Sequence, residues 1–266
     1  MPAGRRGARA RALAPVFLRH CPTDSESVGH TGEDHHDSRR LPVHALIIFD
    51  HPYGADSGRN VPHERSLAAA ALDRVLAGLH RGGHTTDVLD LHREGFDPVL
   101  NAEDLRAWRT RAAPRADVLA LQARLDAADH LVLIFPVWWM AMPALTKGFL
   151  DRVLTKGYAF EEEKPGSLPT RLLTRLRGVS VIQVLHTPTP LYRAWFGQPA
   201  TRILGRGTFR LIGIRRFSSI VIDRSAQRGA QSRERVLRRI EQRYARLRDS
   251  AHLRKPLSQN ENENEN

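Results

Sequence analysis

The sequence predicts an α/β fold: a five-stranded parallel sheet in the order 2-1-3-4-5, with helices on both faces. Three observations predict it. Short, continuous apolar runs rich in branched side chains recur along the chain, as strands buried on both faces do. Segments of helical period separate them, which is the alternation that parallel strands and their crossovers require. No GxGxxG and no Walker A sequence follows any of the runs, which turns the reading away from a dinucleotide-binding pair and from a P-loop.

The first strand is read over residues 43–49 (VHALIIF), ending at Asp50-His51-Pro52. A polar loop with Gly and Pro follows over residues 53–64, and Ser66 then stands as an N-cap before an alanine-rich helix. The helix stops at Gly82-Gly83, and a second strand is expected at about residues 84–91. Residues 101–128 are helical in period but contain Pro114, so two helices are expected there. The clearest strand is 129–136 (DHLVLIFP). A helix runs from Pro143 through Leu145, Phe149, Val153 and Leu154 and ends near Gly157. A fourth strand is read at residues 178–185, a long loop and helical region at 189–211, a fifth strand at about 217–222 and a last amphipathic helix at about 226–247. Five strands and their helices in this succession fit the flavodoxin-like order.

Outside residues 41–249 the chain has little to bury. Residues 1–40 lack an apolar period and are expected to be a disordered arm; residues 250–266 end in the repeat ENENEN and are expected to be a polar, disordered tail. The first twenty residues hold five arginines and no acids, a pattern shared by transit peptides, by disordered arms and by chains with a wrongly chosen start. Cys21 is the single cysteine, so no disulfide framework forms within one chain, and a reducing, cytoplasmic compartment is expected. No apolar run approaches the ~20 residues of a membrane-spanning helix, so stable membrane insertion is not expected.

The net charge of +12 raises the question of nucleic acid. The arginines crowd the C-terminal third, among them Arg202, Arg206, Arg210, Arg215 and Arg216, and alternate with Leu and Ile as on the wet faces of amphipathic helices. No zinc-finger, helix-turn-helix or RNA-stacking signature accompanies them, so nucleic acid is not the expected partner. An anionic cofactor or an acidic membrane surface remains a further reading of the same charge.

In open parallel sheets ligands bind beyond the carboxyl ends of the strands, at the switch point between strands one and three. After strand one the chain reaches the helix beginning at Ser66, whose free amides and dipole suit an anion; Ser66 as a plain helix cap is the alternative. Strand three runs into Pro136-Val137-Trp138-Trp139-Met140-Ala141-Met142-Pro143. Adjacent tryptophans point in different directions and are hard to place in one core. A flat aromatic ligand or a hydrophobic oligomer interface would explain them. Lys147 and Asp151, four apart, can pair on one helical face. No histidine pair has metal-ligand spacing with a third candidate nearby, and there is no nucleophile elbow.

The stretch FPVWWMAMPALTKGFLDRV (residues 135–153), continued by Gly157-Tyr158-Ala159-Phe160 and preceded by Asp90-Leu91 and GFDPVL (residues 95–100), resembles the NAD(P)H dehydrogenase (quinone) family of flavodoxin-like flavoproteins. The resemblance covers about residues 43–222. It implies a homodimer that binds FMN or FAD, takes electrons from NAD(P)H and delivers two of them to a quinone-like acceptor. By position, His51, Ser66, Leu67 and Ala68 would border the flavin phosphate and ribityl chain, and Pro136, Val137, Trp138 and Trp139 would bracket the ring system. Tyr158 and Phe160 would line the partner subunit's pocket. Lys147, Asp151 and Arg152 would brace their helix.

Two departures from the family pattern stand out. The loop from Pro52 to Ser66 is long, and the family's Thr-Thr-Gly-Gly after strand four is replaced by His186-Thr187-Pro188-Thr189-Pro190, where Thr187 and Thr189 are the remaining cofactor-side candidates. Tyr192 is the approximate counterpart of the family's substrate-side tyrosine. Because proline has no amide to donate, a second expectation is a flavin-binding regulatory or ancillary subunit of a transporter with little turnover.

Overall fold

A computed structural model describes residues 41–58, 65–164 and 166–248. The arm, the tail and Cys21 lie outside these residues, as does the second half of the loop after strand one, residues 59–64. Strand β1 (His44–Phe49) lies between β2 (Thr85–Asp90) and β3 (His130–Pro136), and β6 (Gly178–Val184) and β7 (Arg216–Ile222) complete the sheet. Every pairing is parallel, in the order β2-β1-β3-β6-β7. Counted within the sheet, this is the expected 2-1-3-4-5.

Side chains of alternate residues build two cores, as the period of two in a strand requires. Leu46, Ile48, Leu131, Leu133 and Phe135 face α3 (Ala116–Ala127) and α4 (Ala144–Val153), where Leu125, Phe149 and Val153 meet them. Ala45, Ile47, Phe49, Val132 and Ile134 face α1 (Leu67–Arg81) and α7 (Ala230–Ala245). The α1 and α7 axes approach closely because Gly78 stands against the Glu241 carbonyl, where a Cβ would collide. Arg74 then ties the two helices through Glu241 at 2.9 Å and Glu234 at 3.1 Å.

Pro114 separates α2 (Ala102–Thr110) from α3, as expected. The start of α2 is fixed by a reciprocal capping box between Asn101 and Asp104. Three details differ from the sequence reading. A small antiparallel hairpin pairs β4 (Phe160–Glu161) with β5 (Thr170–Arg171); two-residue strands carry no periodicity to detect. The region before β7 resolves into α5 (Thr189–Ala194), α6 (Pro199–Arg202) and π-helical turns over Ile203–Arg210. The last helix begins at Ala230, not near 226, because residues 224–228 close into a turn on the Arg224 carbonyl, with Arg224 itself at φ 49°.

Candidate functional site

The carboxyl ends of β1, β3 and β6 open into a cleft of about 350 Å³. Its walls include His51, Ser66, Leu67, Ala68, Pro136, Val137 and Trp138, brought together from three separate segments of the sequence.

At one end stands the start of α1. Ser66 caps the helix, its Oγ accepting from the Ala69 amide at 3.1 Å, while its own amide donates to the Ser57 carbonyl at 3.0 Å. The cap leaves the amides of Leu67 and Ala68, in the first turn, without an intrahelical acceptor, and both residues line the cleft. The two readings of Ser66 therefore coexist: it caps, and the next two amides are available to an anion.

At the other end is the turn after β3. Trp138 and Ala141 exchange backbone hydrogen bonds of 3.0 and 2.9 Å, closing a two-residue turn whose corners, Trp139 and Met140, sit at φ 47° and 64°. Both angles lie in the left-handed region that side chains with a Cβ disfavour, so the turn holds strain. Neither tryptophan is in the core: Trp138 is 55% exposed and Trp139 98%. Trp138 lines the cleft and Trp139 projects away from it into solvent. The amides of Val137 and Trp138 are committed to the Val184 and Ala141 carbonyls. These two residues can therefore hold a ligand by contact and by their own carbonyls, not by amide donation.

Asp50 couples the two ends. Buried at the tip of β1, it accepts from the Thr146 amide (2.8 Å) and hydroxyl (2.7 Å) at the start of α4, and from His92 Nε2 at 3.1 Å. The helix that follows the tryptophan turn is thereby anchored to the strand that leads to His51. Burial, and then the neighbouring His92, hold the His51 imidazole below its ordinary value, against the opposing charges of Asp50 and Asp90. Its Nδ1 accepts from the Tyr53 amide at 3.2 Å, so the neutral ring carries its proton on Nε2.

Sequence reasoning missed the third wall. His186 and Ser225, joined through Nδ1 and Oγ at 3.3 Å, and Arg233 near the start of α7 complete the cleft, with Arg65 exposed at its edge. Arg233 donates from Nη2 to the Ser225 carbonyl at 3.3 Å, while its Nε, closed off from solvent, has no acceptor among the described residues. Periodicity could not single it out, since Arg233 falls among many arginines on one helix.

Several expected residues lie elsewhere. Tyr192 is fully buried and its hydroxyl donates to Gln183 Oε1 at 2.9 Å; it packs α5 onto the sheet and has no access to the cleft, which corrects its reading as a substrate-side residue. Thr187 and Thr189 follow β6 but are not cleft walls, and the Thr189 amide is taken by Asp223 at 2.7 Å. Tyr158 lines a separate recess beside α2 and α3; its hydroxyl donates to the Gln122 carbonyl and meets Asp126 at 2.9 Å. Burial, followed by the Asp126 carboxylate, pushes the Tyr158 phenol well up. Phe160 is in the β4–β5 hairpin, edge-on to Trp108.

The expected brace on α4 is present. Lys147 reaches Asp151 at 2.7 Å on the exposed side, and Arg152, buried, bonds Asp104 at 2.8 Å, Asp117 at 2.7 Å and the Asp97 carbonyl at 2.7 Å. Burial opposes the Arg152 charge, but the bonds to Asp104 and Asp117 outweigh it and raise its proton affinity.

Comparison with known proteins places this geometry. The chain is 32% identical over 123 residues to an NAD(P)H oxidoreductase of Haemophilus influenzae, covering 46% of this chain and 56% of that one. It is 37% identical over 103 residues to a second NAD(P)H oxidoreductase, from Escherichia coli, covering 37% and 51%. The chain thus spans about half the length of the curated relatives it matches. In three dimensions it superposes on an NAD(P)H:quinone oxidoreductase from Methanothermobacter marburgensis with a TM-score of 0.66 and 25% identity, over 77% of this chain and 99% of the other. The family defined by the flavodoxin-like fold matches residues 44–247. That span begins with the first residue of β1 and ends beyond α7, taking in the whole sheet and both helical layers, and the chain belongs to the flavodoxin-like fold family.

Proposed function

We propose that the chain is a flavin-dependent NAD(P)H oxidoreductase that passes two electrons to a quinone or similar acceptor. One observation carries this reading: a single cleft has anion-receiving groups at one end and an exposed tryptophan turn at the other. The unsatisfied Arg233 Nε and the open amides of Leu67 and Ala68 fit the phosphate of FMN or the pyrophosphate of FAD. Pro136, Val137 and Trp138 fit the edge and face of a flat ring system. The names of the relatives from Haemophilus influenzae, Escherichia coli and Methanothermobacter marburgensis support the nicotinamide donor and, for the last, the quinone.

When bound, a flavin supplies the hydride acceptance from NADH or NADPH and the return of two electrons to the acceptor. The chain's residues bind, orient and shield. The Leu67 and Ala68 amides and Arg233 hold negative charge; the turn of residues 136–141, anchored through Asp50 and Thr146, keeps its aromatic wall in place. His51, neutral through burial, presents Nε2–H as a donor without adding a charge to the cleft. In a homodimer, Tyr158 and Phe160 would line the partner subunit's pocket.

The loop at residues 186–190 favours a second reading, a flavin-binding ancillary subunit with little turnover. Pro188 and Pro190 have no amide, and that of Thr189 is already bonded to Asp223. One preparation separates the readings. Purified chain incubated with FMN or FAD and desalted is expected to stay yellow and to oxidise NADPH or NADH in a quinone-dependent way. Retained flavin with oxidation at background assigns the ancillary role, and a colourless protein removes both.

A further inference from the structure

Between Glu163 and Asp223 the sequence contains no acidic residue, while arginines recur throughout. Outside this stretch several arginines are paired: Arg74, Arg124, Arg152 and Arg228 each hold at least one carboxylate. The acid-free stretch includes the helical segment from α5 to the π-helical turns, just before edge strand β7.

Its outer surface has a definite order. Arg202, Arg206 and Arg210 are exposed, four residues apart, and line one shallow recess of about 290 Å³ over Phe217. Beside each stands a neighbour one position on: exposed Ile203, exposed Gly207 and exposed Leu211. Residues four apart lie about one turn apart on the same helical face, so the arginines form one row with Ile203, Gly207 and Leu211 as a second row alongside. Trp195, 79% exposed at the end of α5, adds an aromatic side chain to the same stretch. The inward side is anchored by Tyr192, Leu204 and Phe209, all fully buried, so this surface is fixed rather than a loose loop.

Among the described residues none of Arg202, Arg206 and Arg210 has a carboxylate partner. A second copy of the chain meeting this surface face to face would bring another acid-free row of arginines against it, which is repulsive. Phosphodiester backbones would satisfy the charge but leave Ile203, Leu211 and Trp195 without a use. A surface with exposed guanidinium groups beside Leu and Ile, and an exposed Trp in the same stretch, matches both layers of an anionic lipid leaflet, headgroups and upper acyl chains.

We propose that the α5 to Arg210 surface docks the protein peripherally on anionic phospholipid bilayers. No helix among the described residues is long and apolar enough to cross a membrane, so the attachment is to the surface. It is independent of the catalytic reading: it requires no flavin and no turnover.

The test uses full-length protein and sedimentation with phosphatidylcholine vesicles, with and without a third of phosphatidylglycerol. Binding to the anionic vesicles, weak binding to the neutral ones, and a blue shift of tryptophan emission that Trp195→Ala removes are expected. A basic residue close to an anionic leaflet strengthens partitioning by about fivefold, so Arg202→Gln/Arg206→Gln/Arg210→Gln is expected to weaken it by about a hundredfold. Circular dichroism and sedimentation velocity confirm that the triple variant keeps its fold and oligomeric state. Three results overturn the proposal: equal binding to neutral and anionic vesicles, vesicle binding unchanged in the triple variant, or no vesicle binding. In the last case, tight binding of duplex DNA would reassign the face to nucleic acid, and a changed oligomeric state in the triple variant would reassign it to a second copy.

Discussion

Two arginines on opposite faces of the sheet are treated differently: Arg152 is fully buried, whereas Arg233 is half-buried with its Nε closed off from solvent. Arg152, on α4, is surrounded by acceptors: Asp104, Asp117 and the Asp97 carbonyl take its Nε, Nη2 and Nη1, and the Phe96 ring lies 5.6 Å from its carbon. Arg233, on α7, bonds one carbonyl at 3.3 Å, and its Nε has no acceptor among the described residues. Only that Nε is closed off from solvent, and a buried donor without an acceptor is costly. The first guanidinium is part of the architecture. The second lines the same cleft as Leu67 and Ala68, where the phosphate of the proposed flavin would sit.

The comparison breaks most visibly at Arg152. Replacing it by Met removes the only cationic side chain paired with the buried Asp104 carboxylate among the described residues. Loss of about 3–5 kcal/mol in unfolding free energy is expected, measured by urea or thermal denaturation, because one half of a buried pair is left charged without its counter-ion. The double variant Arg152→Met/Asp104→Leu should recover part of that loss. A single-variant loss below about 1 kcal/mol would mean that Arg152 is not the keystone that its bonds describe.

At Arg233 the same kind of change should do the reverse, sparing the fold and harming the ligand. Arg233→Gln in flavin-free protein is expected to leave unfolding within about 0.5 kcal/mol of the parent, since no ion pair is lost. Flavin affinity, followed by quenching of flavin fluorescence, should fall about ten- to hundredfold, the range of one charge-assisted hydrogen bond. Unchanged affinity together with a large loss of stability would make Arg233 a second Arg152.

The two arginines also mark what could be read from the sequence alone. Arg152 was legible because it sits in a dense local pattern, with Lys147, Asp151 and Val153, on a helix whose start and end are signalled by Pro143 and Gly157. The sheet order was legible for a similar reason: each strand is a short apolar run with its own punctuation, and Ser66, Pro114 and Gly82-Gly83 act within a few residues of themselves. Arg233 was not, because its significance depends on Ser225 and Ser66 arriving from elsewhere in the chain, and a periodic helix rich in arginine hides which one turns inward. Tyr192 failed the other way. Its place after β6 suggested a pocket residue, yet proximity along the chain says nothing about the Gln183 amide that draws its hydroxyl into the interior. The missed hairpin and the π-helical turns share a cause, since neither is long enough or regular enough to leave a period.

Asp117 offers the finest distinction, because only the Arg152 site should carry an acid-dependent contribution from a carboxylate. Partial burial pulls the Asp117 carboxyl upward, but the hydrogen bond from Arg152, then its charge, and then Arg115 outweigh this and hold it below the ordinary value of 3.8. A carboxyl held down in the folded state stabilises the fold above its unfolded value and loses that contribution as pH falls through the folded one. The side chain is 44% exposed, so solvent screens much of the interaction. Asp117→Asn is therefore expected to cost no more than about 1 kcal/mol at pH 7. Below pH 3.8 the stability curves of parent and variant should converge, as the parent takes up the proton that the variant lacks. Arg233, with no carboxylate paired to it among the described residues, should show no such limb when replaced by Gln, and curves for Asp117→Asn that stay parallel down to acid would show that Asp104 alone neutralises Arg152.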